Sequence, residues 1–366
     1  MRTREYALAY QHDVGTAGTI TFNLDFSSPI TQIDIMFGGT NGGTSNLDNP
    51  LERNVSKIEI VDGGEVLWDL PGDVALAVYA QENEGMPNNY RTEVANDGPY
   101  QGIPIRFGRE MYDTIFAFNP IAHKNPQLKV TLNEATVRAA GATGYVSDSI
   151  TLDVTVYLME DAPAPVGFLS WRDIYQYTSL ASGDTRVELP TDRVIRQLAM
   201  RAYEAEKDMR ASVTNLRLSG DGGKFVPFDL GMGTLISRMA AMFDPIMVTA
   251  TDLLTDATRT ETWVGIDIMG SAISGEDDDI IGANTFWPGS LYPYVFSHAG
   301  ADGTNVPAHV CITGWCVHNT YQHPFGLLTD LSQWFNPNPF RQLDLFLTNG
   351  DAGAEVNICI QQLYTY

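Results

Sequence analysis

The sequence predicts an all-β chain built from two similar domains in tandem. Three observations predict it. Apolar residues alternate with polar ones over short runs, glycine and proline punctuate those runs, and the same ordered set of runs occurs twice. Alternation with a period of two marks strands that bury one face. The 33 Gly and 19 Pro among 366 residues suit the many turns such strands need. With 44% hydrophobic and 18% charged residues, the composition is that of a core-forming chain and not a disordered one.

In the first half, Ile20, Phe22, Leu24 and Phe26 alternate with Thr21, Asn23 and Asp25. Ile30, Ile33, Ile35 and Phe37 follow Pro29. Ile58 and Ile60 lead into Asp62-Gly63-Gly64, with Val66 and Trp68 beyond; Asp and Gly supply the positive φ of a tight hairpin. A short helix is expected over 73–80. Ile103, Ile105 and Phe107, the run 115–118, then Leu128, Val130 and Leu132, carry the strand signal on. Ile150, Leu152, Val154 and Val156 close the half, giving at least eight strands at the spacing of an all-β sandwich.

The same order recurs. Ile195–Met200 echoes Ile30–Ile35, Val213–Leu218 matches Val55–Ile60, and Asp221-Gly222-Gly223 matches Asp62-Gly63-Gly64. Phe228-Asp229-Leu230 matches Trp68-Asp69-Leu70. A second helix is expected over 234–243, with Leu235, Ile236, Met239, Met242 and Phe243 on its apolar face. Phe335-Asn336-Pro337 repeats Phe118-Asn119-Pro120. Leu343, Leu345 and Leu347 are set against Leu128, Val130 and Leu132, and Val356, Ile358 and Ile360 against Ile150, Leu152 and Val154. A period this long is one domain, so the reading is a duplication with domains 1–163 and 164–366. Ala162-Pro163-Ala164-Pro165 is a stiff junction. Trp171 to Tyr177 is expected as a short helix packing both halves together. The second domain carries a longer loop insertion near 269–307, the kind of segment where function sits on a β scaffold.

A formal charge of −23 and a pI near 4.4 exclude direct packaging of nucleic acid, which needs a basic surface. No run of about 18 apolar residues is present to span a membrane as a helix. No apolar stretch follows Met1–Tyr6, so no signal peptide is expected. Cys311, Cys316 and Cys359 are too few and too clustered for a disulfide framework, which suits a reducing cytosol.

Few residues carry recognisable chemistry. If Thr313-Gly314 is a two-residue hairpin, His309, Cys311, Cys316 and His318 share one face and offer four ligands suited to zinc. The other reading of the same residues is a plain strand pair with buried thiols. Gly231-Met232-Gly233 lacks the third glycine of a dinucleotide loop, and Gly220-Asp221-Gly222-Gly223-Lys224 lacks the spacing and hydroxyl of a phosphate loop. Glu276-Asp277-Asp278-Asp279 reads as a solvated acidic loop, with calcium as the competing reading. No Gly-x-Ser-x-Gly or His-Glu-x-x-His run occurs. No catalytic, cofactor-binding or metal-binding residue is assigned, and an enzyme is not expected.

Two runs carry a family resemblance. Glu188-Leu189-Pro190-Thr191-Asp192-Arg193-Val194-Ile195-Arg196 is similar to the strand, proline and Ile-Arg pattern that opens a barrel in double jelly-roll major capsid proteins. Asn215-Leu216-Arg217-Leu218 ahead of Asp221-Gly222-Gly223 is similar to the next hairpin. In architecture the chain resembles this family along nearly its whole length. The family builds the shells of tailless icosahedral viruses, among them lipid-containing bacteriophages. The resemblance implies two tandem jelly-roll β-barrels, each with a short helix after its Asp-Gly-Gly hairpin. It further implies a homotrimer that forms a pseudo-hexagonal capsomer. The implied partners are neighbouring capsomers, minor capsid or penton proteins, and an internal membrane in a lipid-containing virion, where Arg2 and Arg4 would lie near the lipid. The implied location is the virion shell, assembled in the host cytoplasm, with no direct contact to nucleic acid. The loops 83–99 and 269–307 are the candidates for an outward tower.

Two other classes fit a duplicated β-rich chain. A carbohydrate-binding or receptor-binding two-domain β-sandwich, as in a phage spike or lectin, would use Trp287, Trp315 and Trp334 as sugar platforms. A bicupin-like metal enzyme would need a His-x-His and Glu cluster on one strand, and no such run is present.

Overall fold

The computed structural model describes residues 1–42, 50–92, 96–134, 145–204, 207–254, 259–261, 270–275, 280–281, 294–298 and 306–366, with backbone alone for those between 248 and 313. Most of Met269–Pro307, with the acidic run 276–279 and Trp287, lies outside the described residues.

Nine strands form between Arg2 and Glu160: β1 (Arg2–Asp13), β2 (Ala17–Asn23), β3 (Ile30–Gly38), β4 (Val55–Asp62), β5 (Glu65–Leu70), β6 (Asn89–Tyr90), β7 (Tyr100–Arg106), β8 (Pro126–Asn133) and β9 (Thr151–Glu160). They make two antiparallel sheets, β1-β9-β3-β7-β6 and β2-β8-β4-β5. Side chains from both sheets meet in one core, with Ile33, Ile35, Leu152, Val154 and Val156 from the first and Ile58, Ile60, Leu128 and Val130 from the second. In β8 and β9 burial alternates residue by residue, because successive side chains point to opposite faces of the pleat.

The later residues repeat this arrangement. β10 (Gly167–Thr178), β11 (Gly183–Leu189), β12 (Ile195–Tyr203), β13 (Val213–Gly220) and β14 (Phe225–Gly231) precede an excursion of six strands. These are β15 (Ile246–Leu254), β16 (Arg259–Glu261), β17 (Gly270–Gly275), β18 (Ile280–Ile281), β19 (Tyr294–His298) and β20 (Val306–Gly314). β21 (Thr320–Pro324), β22 (Leu343–Asn349) and β23 (Glu355–Thr365) follow. Two sheets, β10-β23-β12-β21 and β11-β22-β13-β14, enclose a second core around Leu198, Met200, Leu216, Leu218, Leu345 and Ile358. Their strand order corresponds to β1-β9-β3-β7 and β2-β8-β4-β5. The excursion forms two further sheets, β15-β20-β17 and β16-β19-β18.

Pairing registers show which positions correspond. Ile30 bridges Phe118 and Ile195 bridges Phe335. Asp62 accepts from the amides of Lys124 and Asn125 across the mouth of its turn, and Asp221 does the same for Arg341 and Gln342. Two of the expected alignments are displaced by two residues. Leu345 and Leu347 pair with Leu218 and Leu216 as Leu128 and Val130 pair with Ile60 and Ile58. Val356 corresponds to Leu152, because they face Ala202 and Phe37 at matching registers. A slip of two leaves every side chain on its own face, so alternation alone cannot detect it.

One helix in each half follows the β4–β5 or β13–β14 pair: α1 (Gly72–Glu82) and α2 (Met232–Ala240). Pro71 in extended conformation starts α1, and Gly72 lets it sit close, since a Cβ there would lie 2.6 Å from Val55 Cβ and 2.7 Å from the Glu52 carbonyl oxygen. Expectation and structure also differ at three further places. The segment 171–177 is not a helix but the middle of β10, paired with β23. The run 115–118 makes only isolated bridges. Met242 is 47% exposed and does not join the helix core.

Candidate assembly interface

The most elaborate polar site is the seam between the two halves, and α1 is at its centre. Its sequence is apolar nearly all round, which marks a helix covered on every side. Its own half covers one face, and β21 and the turn after β20 cover the other. Strand β12 shows the consequence. It is buried at every position from Ile195 to Ala202, whereas its counterpart β3 alternates beyond Ile33.

Charge-assisted bonds tie the seam. Arg201 Nη2 lies 2.6 Å from Asp73 Oδ2 at the first turn of α1, and Arg196 Nη1 lies 2.9 Å from Glu82 Oε2 at the last. Gln197 donates to Glu82 and, at 2.9 Å, to Gln361. Gln322 Nε2 donates to the Ala77 carbonyl at 3.2 Å. Further along, Arg172 Nε reaches Asp69 Oδ1 at 2.7 Å, and Ser170 donates to the Leu67 carbonyl. Burial pushes the Asp69 carboxyl up, and Arg172 offsets part of that effect. Asp173, on the same strand, is raised to about 6 by burial and by Asp69, against the hydrogen bonds of Asn357 and Gln176. A cleft of about 410 Å³ opens at one end of the seam, lined among others by Arg53, Asp73, Tyr177, Arg201, Glu355 and Asn357.

Glu52 is the deepest of these groups. It is fully buried, with Arg91 at 2.6 Å from its own half and His318 Nε2 at 2.7 Å from the other. Burial alone would raise its pKa; the Arg91 charge and the His318 hydrogen bond outweigh that and hold it at about 2. His318 reaches across through an unusual backbone. Cys316, His318 and Asn319 all have left-handed φ values of 50–58°. Each costs on the order of 1 kcal/mol and persists only where surrounding contacts hold it.

That geometry removes the zinc hairpin as drawn from the sequence. β20 does not turn back at Thr313-Gly314; it lies between β15 and β17, and β21 pairs with β12 instead. Cys316 and His318 are therefore not cross-strand partners of Cys311 and His309, whose side chains lie outside the described residues. Among the described residues no group of three or more His, Cys, Asp or Glu side chains is arranged to hold a metal. Cys316 and Cys359 are buried. Gly231-Met232-Gly233 is the junction of β14 and α2, and Gly220 to Lys224 is the β13–β14 turn. Trp334 is 5% exposed and donates its indole N–H to the Leu327 carbonyl, so it offers no free platform; the half-buried Trp315 donates to the carbonyl of Phe243. Arg2 and Arg4 pair with Asp161 and Glu160 at the end of β9. Among the described residues no helix is long and apolar enough to cross a membrane.

Of the seam residues, Glu52, Arg91 and Arg201 had no place in the sequence reading, and Arg196 entered it only as the end of the Ile-Arg pattern. One signal was available for two of them: Arg196 and Arg201 are charges inside a run otherwise suited to a central strand.

The fold is that of the double jelly-roll major capsid proteins. Over its whole length the chain superposes on the major capsid protein P2 of bacteriophage PM2, with a TM-score of 0.54 and 13% identity, covering 100% of this chain and 98% of that one. It matches the STIV major capsid protein, from Sulfolobus turreted icosahedral virus, with a TM-score of 0.56 at 9% identity, over 100% and 97% of the two chains. It matches the PBCV-1 virus capsid with a TM-score of 0.56 at 10% identity, over 99% and 93%. At such identities the likeness is one of fold. No family model matches the chain, and no curated protein does.

Proposed function

We propose that this chain is a structural protein of a virion, a major capsid protein. Its two jelly-roll barrels, residues 1–163 and 164–366, would sit side by side in each subunit of a homotrimer. Six similar barrels then approximate a hexagonal outline, and differing loops choose the neighbours. Such capsomers would tile an icosahedral shell together with penton or minor capsid proteins, and would be assembled in the host cytoplasm. The full-length likeness to capsid proteins of other viruses carries this reading. The seam supports it, because two β-sandwiches joined by buried ion pairs act as one rigid building block. A net charge of −23 suits a shell that does not itself grip the genome.

Negative-stain electron microscopy of the purified chain tests the proposal. Three-fold particles with a hexagonal outline, alone or in sheets, are the expected result. Isolated two-lobed monomers at every concentration would overturn the capsomer.

A further inference from the structure

The contact inside the chain joins two different faces: α1 of the first half, and the β10-β23-β12 face of the second. Each half also owns the other face, and among the described residues those two faces have no partner within the chain. Pairing register sets the helices in correspondence, because Leu70 opposes Ile58 as Leu230 opposes Leu216. Counting on from there, Asp73, Val74, Ala77, Val78 and Gln81 of α1 correspond to Gly233, Thr234, Ser237, Arg238 and Ala241. All five of the first set are buried and all five of the second are exposed. The face of α1 that the second half covers is, on α2, open to solvent.

The complementary sheet face follows the same rule. In β12 and β23, Ala199, Arg201, Asn357, Cys359 and Gln361 are buried. Their register counterparts in β3 and β9, namely Asp34, Met36, Asp153, Thr155 and Tyr157, are half-exposed. Glu5 of β1 corresponds to Trp171 of β10, since they oppose Tyr157 and Gln361, and it is exposed.

The chemistry of the open faces is complementary. Within the chain, Val78 lines one small cleft together with Trp171 and Gln361. The corresponding residues are Arg238, Glu5 and Tyr157: a cation where the helix has Val78, and a carboxylate and a phenol where the sheet has Trp171 and Gln361. Asp34 and Asp153 add negative charge to that sheet. The internal seam sets acids on the helix against arginines on the strands, and the open pair reverses the signs.

We propose that the exposed face of α2 docks on the β1-β9-β3 face of a second copy of this chain, with Arg238 against Glu5 and Tyr157 of that copy. The contact is heterologous, so identical copies joined through it form a ring where the rotation closes. The inference rests on the trimeric capsomer proposed above and assigns its subunit joint.

Light scattering behind size exclusion, on the full chain over a range of concentrations, is the test. Arg238→Glu should raise the trimer dissociation constant on the order of a hundredfold, because it sets like charges against each other. Adding Glu5→Arg in the same chain should restore most of the affinity. Ser237→Trp, placed where Ala77 lies beneath Gln322, should break the trimer by bulk alone. Both helix positions are exposed, and circular dichroism of the monomeric variants checks that they fold. A wild-type trimer that persists in Arg238→Glu and in Ser237→Trp would overturn this joint and leave the capsomer reading standing. Loss of the trimer in Arg238→Glu with no recovery on Glu5→Arg would overturn the stated pairing. A wild type that stays monomeric throughout would overturn the capsomer reading, and this joint with it.

Discussion

Glu52→Gln keeps the shape of the side chain and removes its charge. The usual carboxyl value of 4.5 is held at about 2 in the folded chain, a displacement that corresponds to about 3 kcal/mol of stability. The folded-state value lies below the unfolded one, so this contribution is whole above pH 4.5 and is lost as the pH falls through about 2. In the variant the amide oxygen can still accept from Arg91, itself 8% exposed, but the carboxylate charge that balances this buried cation is gone, and the Gln101 side-chain oxygen at 2.8 Å is neutral. Leaving a buried cation short of its partner costs a similar few kcal/mol. At pH 7 the expected fall in the melting temperature is on the order of 5 °C for a chain of this size. The assay is thermal and urea unfolding of both proteins at a series of pH values from 7 down to about 2. The two stability curves should converge as the pH falls, because the wild type loses what the variant never had. Equal stability at pH 7, or curves that stay parallel into acid, would refute the role given to Glu52.

Asp173→Asn should stabilise the chain at pH 7 by about 1–3 kcal/mol, since the carboxyl is raised from 3.8 to about 6 and is ionised there at a cost. That gain is absent below pH 3.8, grows through about 6, and is read from urea midpoints on either side. Gly72→Ala should cost about 1–3 kcal/mol, because the new Cβ would press on Val55 Cβ at 2.6 Å and on the Glu52 carbonyl oxygen at 2.7 Å. A calorimetric melt unchanged from wild type would mean that α1 can back away from the Glu52 turn freely.

Legibility in the sequence followed burial. Where one face of a strand meets solvent, as in β8 and β9, alternation located it. Where the second half is covered on both faces, the pattern failed. In β10 the buried Trp171 and the part-buried Ile174 and Tyr177 fall at intervals of three, which imitates a helix, because the first half covers part of the outward face. β12 is buried from Ile195 to Ala202 for the same reason, and its likeness to β3, not its period, locates it. The Glu52–His318 contact spans 266 residues and depends on left-handed backbone at non-glycine positions, so no local signal announces it. The hairpin guess at Thr313-Gly314 went astray because alternating Cys and His do not reveal which strand lies alongside. Both neighbours of β20 come from distant segments.

Only six residues, 161–166, lie between β9 and β10, and two of them are proline. A tether that short holds the two halves at an effective concentration in the millimolar range or above, so the seam forms as an intramolecular event. In a ring of three such chains, half of the barrel-to-barrel joints would already be closed before any two subunits met. Assembly would then have three joints left to close instead of six. The covalent joint can hold costly buried carboxylates such as Asp173, because it never has to win its partner from dilute solution. The open joint enjoys no such help, so affinity at that face alone would set the concentration at which capsomers appear.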